Sequence, residues 1–150
     1  MVSRRAVLRL GAFAALVPVV ACTPEPEKPP PPDPLAALAK QARSDAALAT
    51  AIATAQPNLA ATATEIATAR TEHAKVLQTE LDRVQPPMST TSAKPTTAPE
   101  VPADGAAALV EAITSAEKAA ADLVPSVPRY RAGMLGSVAA GCASLRVVLS

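Results

Sequence analysis

Aromatic side chains are almost missing: Phe13 and Tyr130 are the only two in 150 residues, and there is no tryptophan. Sheets draw on branched and aromatic residues, so this scarcity argues against a strand-rich fold. Glycine is also scarce, at five residues, and no glycine-rich phosphate loop or nucleophile elbow is present. Two cysteines and one histidine leave no zinc-finger spacing. Charge of a single sign is lacking as well, with 14 basic against 13 acidic residues. That balance argues against a nucleic-acid partner, which requires a basic patch for phosphate neutralisation. What the chain has instead is alanine in abundance and sixteen prolines, most of them in clusters. Alanine is the strongest helix former and lets helix backbones approach closely, so the composition predicts an all-α fold punctuated by proline.

An uncharged apolar run near the start, Leu10 to Ala21, is too short for a bilayer span of about 20 residues. It follows Ser3-Arg4-Arg5-Ala6-Val7-Leu8-Arg9, which resembles the twin-arginine export motif, although that motif prefers Phe where Val7 stands. The run ends in Val19-Val20-Ala21-Cys22, which resembles the lipobox of bacterial lipoprotein precursors. The resemblance implies a signal peptide over residues 1–21 and a lipid-modified Cys22 as the mature N-terminus. It also implies a location on the extracytoplasmic face of the cell membrane, held there by the lipid anchor. Loss of residues 1–21 removes Arg4, Arg5 and Arg9, leaving 11 basic against 13 acidic residues and a charge of −2.

Residues 22–34 are rich in proline and favour extended polyproline II at about 3.1 Å per residue, a spacer of roughly 30 Å. The remainder, 35–150, divides at proline-containing breaks into helical segments 35–55, 58–84, 105–124 and 129–149. Asp104 is a candidate N-cap for the third. The Ser/Thr/Pro-rich stretch 86–102 reads as a flexible crossover between two hairpins, and its Ser89, Thr90, Thr91, Thr96 and Thr97 are candidates for O-glycosylation. Two short turns and one long connection are what a four-helix bundle needs. In the last segment Gly133, Ser137 and Gly141, and likewise Gly136, Ala140 and Ser144, recur every four residues. Glycine costs up to about 1 kcal/mol per helical site, so close packing of this helix against its neighbours is expected.

Polar residues inside the apolar stripes are the candidates for chemistry. Leu38, Ala42, Asp45, Ala49 and Ile52 share one face of the first segment. Leu59, Ala63, Ile66, Arg70, His73, Leu77 and Val84 share a face of the second. The third offers two nearly coincident stripes, Leu109-Ile113-Ala116-Ala120-Leu123 and Val110-Ile113-Glu117-Ala120-Val124. Leu135, Val138, Cys142, Leu145 and Leu149 line the fourth. Asp45, Arg70 with His73, Glu117 and Cys142 are thus expected near mid-height of the bundle.

One inward polar or sulfur position per helix resembles the ferritin-like bundle. The alanine-rich chain ending Arg131-Ala-Gly-Met-Leu-Gly-Ser-Val-Ala-Ala-Gly-Cys142 is similar to a ferritin-like domain of unknown function in bacterial lipoproteins. The resemblance implies that Asp45 and Glu117 stand at the lone-carboxylate positions. Arg70-x-x-His73 and Cys142-x-x-Leu145 then replace the two Glu-x-x-His pairs that hold metal in that fold. Arginine cannot ligate a metal and Leu145 offers nothing, so an ion-pair network of Arg70 with Asp45 and Glu117 is expected where the metal would be. Asp45, His73, Glu117 and Cys142 remain weak candidates for a mononuclear zinc site. His73 also reads as a partly exposed helix residue, and Cys142 as a small buried hydrophobe. No catalytic set and no cofactor site is recognised. The expectation is a non-catalytic envelope lipoprotein that binds an unidentified envelope protein or ligand. The alternatives are a ferritin-like metal-binding or redox protein and a lipid-carrying module.

Overall fold

Local chemistry sets the helix boundaries. In the computed structural model, which describes residues 31–86 and 99–149, helix α1 is Pro34–Ala55. Asp33 caps it by accepting from the Leu35 amide at 3.0 Å, and Pro34 sits in the first turn, where its missing N–H costs nothing. Pro57 ends it: the preceding Gln56 is forced out of helical geometry, at φ −124° and ψ 88°. A single 3-10 turn, Pro57–Leu59, leads into α2, Ala60–Val84, which stops before Pro86 in the same way. Helix α3, Gly105–Leu123, is capped by Asp104, which accepts from the Ala107 amide at 2.9 Å. Another 3-10 turn, Val124–Ser126, carries Pro125 and precedes α4, Arg129–Val148. The expected helices are all present, displaced by a residue or two at their ends.

The four helices form an all-α bundle within the compact unit 32–150. Helix α1 packs along α2 and α3 along α4, giving two hairpins, and α1 also faces α3. The core has two ends. Leu35, Leu38, Leu77 and Leu135 fill one, together with Leu81, Leu123 and Met134. Ile52, Ile66, Leu109, Ile113 and Leu145 fill the other, among alanines 49, 63, 116 and 120. These contacts fix direction. Helix α2 ends beside Leu35 and Leu135, whereas α3 begins at Gly105 against Ile52 and Gln56, at the opposite end. The end of α2 and the start of α3 therefore lie at opposite ends of the bundle, and the two helices are parallel. The order is up, down, down, up. On the return, Gln56 Nε2 donates to the Pro102 carbonyl at 3.0 Å and docks the end of the connection.

Three expectations are corrected. Val84, the last residue of α2, is 45% exposed. In α3 the buried stripe is Leu109, Ile113, Ala116 and Ala120; Val110 is 39% exposed and Glu117 lies at the edge. Finally, Gly133, Gly136, Ser137, Ala140 and Ser144 face solvent, and a Cβ at 133 or 136 would meet nothing within 4 Å. Of the α4 glycines, Gly141 alone is pressed against a neighbouring helix. No helix among the described residues is long and apolar enough to cross a membrane.

Candidate functional site

Mid-height in the bundle, the largest fully buried side chain is a cation: Arg70 on α2, 2% exposed. Its position follows from the stripe Ala63-Ile66-Arg70-Leu77, which turns it inward with the apolar residues. Across the α1–α2 seam, Asp45 sits in the equivalent place between Ala42 and Ala49. Arg70 Nη2 and Nε donate to Asp45 Oδ2 at 2.8 and 3.1 Å. The remaining nitrogen, Nη1, faces His73 Nδ1 at 3.0 Å and donates to Cys142 Sγ, on α4, at 3.4 Å. One guanidinium thus joins three helices, and each of its three nitrogens has a partner.

The electrostatics follow from burial. Desolvation pushes the Asp45 carboxyl above its ordinary range, with the charge and hydrogen bonds of Arg70 acting against it. His73, half-buried, is held below its ordinary value by desolvation and then by the neighbouring guanidinium. Burial raises the Cys142 thiol, so it stays protonated, a poor nucleophile and a poor ligand.

Glu117 does not join this group. It turns toward α4 and pairs with Arg146, whose Nε lies 2.8 Å from Oε2. That oxygen has no aligned hydrogen bond, so the charge contact is what compensates its burial. The expected network is therefore half right: Asp45 is in it, Glu117 is not. The reason is the α3 register, which points Ala116, not Glu117, at the core. Asp45, His73 and Cys142 converge on a guanidinium, and among the described residues no group of three or more His, Cys, Asp or Glu is placed to hold a metal ion.

A second buried cation, Arg131, was not singled out in the sequence. Its Nη1 donates to Asp33 Oδ2 and its Nε to Glu80 Oε1, both at 2.8 Å. Glu80 also accepts from Arg83, and those hydrogen bonds, Arg83's first, hold its carboxyl down at about 2. The Tyr130 ring stacks under both arginines, 5.2 Å from Arg83 and 5.9 Å from Arg131. The signal was available: Arg131 continues the stripe of Leu135, Val138, Cys142 and Leu145 by one more turn.

Between α1 and α2 runs a groove of about 560 Å³ lined by Thr50, Thr54, Thr64, Thr68 and Thr71. Each hydroxyl donates to the carbonyl four residues earlier, at 2.7 to 3.0 Å. The groove consequently presents methyl groups and lone pairs, with its hydroxyl protons already committed. Cys22, Arg4, Arg5 and the glycosylation candidates between Ser89 and Thr97 lie outside the described residues.

Fold and centre together define an all-α four-helix bundle with a buried, internally paired guanidinium at mid-height. No family model matches the chain, and neither a curated protein nor a solved structure is similar enough to count as a match.

Proposed function

We propose that the chain is a lipid-anchored protein of the bacterial cell envelope, a ferritin-like bundle serving as a non-catalytic binding or structural module on the extracytoplasmic face. The observation that carries the non-catalytic reading is Arg70. It occupies the centre where a metal would sit in a ferritin-like site, and it engages Asp45, His73 and Cys142, so no free acid, base or nucleophile remains there. The up, down, down, up order with one long connection supports the ferritin-like class. The ion pair of Arg131 with Asp33 supports the tether, because it pins the chain where the proline-rich segment enters the bundle. The recognised partner is a protein or other component of the envelope, not nucleic acid.

Metabolic labelling with an alkyne-bearing palmitate in a bacterial host tests the anchor. The expected result is label on the wild-type chain in the membrane fraction and none on Cys22→Ser. An unlabelled wild-type chain released into the soluble fraction contradicts it.

A further inference from the structure

We propose that His73 is an acid-sensitive latch on the seam between α2 and α4: taking up a second proton breaks its contact with Arg70 and loosens α4 over the buried Cys142. Three observations combine. First, a guanidinium is always charged and can only donate, so Nδ1, 3.0 Å from Arg70 Nη1, is the lone-pair nitrogen and Nε2 carries the single proton. A second proton must go to Nδ1, the atom Arg70 holds. Secondly, the far edge of the ring is walled by α4: a Cβ at Gly141 would stand 2.8 Å from Nε2 and 3.0 Å from Cε1, so the ring cannot retreat in that direction. Thirdly, among the described residues the carboxylates around the ring already face cations. From α1, Asp45 already takes two hydrogen bonds from Arg70. On α4, Gly141 lies against the ring and the neutral Cys142 thiol meets Arg70. On α3, Glu117 is paired with Arg146, and on α2 itself Glu72 is exposed and faces Lys75. Protonation therefore places an imidazolium beside a guanidinium in a half-buried site with one shared carboxylate.

The direction in pH follows. A histidine whose folded value is lowered leaves the bundle at full stability above about pH 6.5, where the unfolded chain is also neutral. Below that, the unfolded or opened form takes the proton first, and closure weakens progressively as pH falls. The effect reaches at most about tenfold per pH unit for a single proton. Asp45 acts in the opposite sense, since its raised value means acid protonates it in the closed form before the open one. A latch that opens in acid must therefore be traced to His73 by substitution. The inference stands on the core geometry alone, independent of the lipid anchor.

The test uses the full-length chain with Cys22→Ser, so that Cys142 is the single thiol, and 4,4′-dithiodipyridine, which labels thiols in acid as well as at neutrality. Rates are taken from pH 7.5 to 5.0 relative to the same protein unfolded in urea, with circular dichroism recorded at each pH. The expected result is relative labelling of Cys142 that accelerates by about tenfold or more over this range. In His73→Gln, whose amide oxygen also accepts from Arg70 and does not titrate, the rate stays flat. Because His73 is the one histidine in the sequence, its ring proton NMR signals need no assignment, and in the closed protein they should titrate below the pH at which labelling begins to accelerate. A wild-type rate that stays flat, an equal acceleration in His73→Gln, or a ring that titrates at or above the pH where labelling begins to accelerate overturns the proposal.

Discussion

At the scale of the residue, Arg70 decides the character of the centre. A buried pair such as Asp45–Arg70 spends most of its Coulombic attraction on desolvation, so the pair as a whole adds little stability, whereas breaking it is expensive. Arg70→Met leaves the Asp45 carboxylate buried without its cation and is expected to destabilise the bundle by about 3–5 kcal/mol. The double variant Asp45→Leu/Arg70→Met is expected to recover most of that loss, since an apolar pair of similar volume removes both desolvation costs. Urea unfolding followed by circular dichroism measures both; a double variant as unstable as the single one contradicts the assignment. The inward positions of Asp45, Arg70 and Cys142 were legible because each interrupts a stripe of small apolar residues at helical spacing. Glu117 was misplaced because Leu109 and Val110 start two overlapping stripes, centred about 60° apart, with Ile113 and Ala120 common to both. Which register is buried depends on how α3 meets α1 and α4, and one helix's sequence does not contain that.

At the scale of the element, most helix boundaries were readable from Pro57, Pro86, Asp104 and Pro125, whose effects on the backbone are local, whereas the Asp33 cap came from the fold. The environment of the α4 glycines was not, because a four-residue repeat of small residues looks the same whether it faces a helix or water. Gly133 and Gly136 face open space, so the helix gains from a side chain without a clash. Gly133→Ala and Gly136→Ala are each expected to raise stability by about 0.5–1 kcal/mol. Gly141→Ala drives a methyl into the His73 ring and is expected to cost about 1–3 kcal/mol instead. Thermal unfolding of the three variants checks the pattern, and a stabilising Gly141→Ala would show that the contact with His73 is looser than described.

At the scale of the whole molecule, a core so poor in aromatics is held as two apolar ends joined by a polar middle, with Arg131 gathering Asp33, Glu80 and Tyr130 at the end where α1 begins. The parallel placement of α2 and α3 was legible in outline from the length of the Ser/Thr/Pro-rich connection. The location of its return, against Gln56 and Ile52, came only from the fold. The most direct measurement on the central claim, that a guanidinium and not a metal organises this bundle, is elemental analysis of the folded protein. It is expressed with iron, manganese and zinc supplied, and its helical content is verified by circular dichroism. The expected result is metal far below one ion per chain, unchanged in His73→Ala and in Glu117→Ala. Near-stoichiometric metal that disappears in either variant would contradict it.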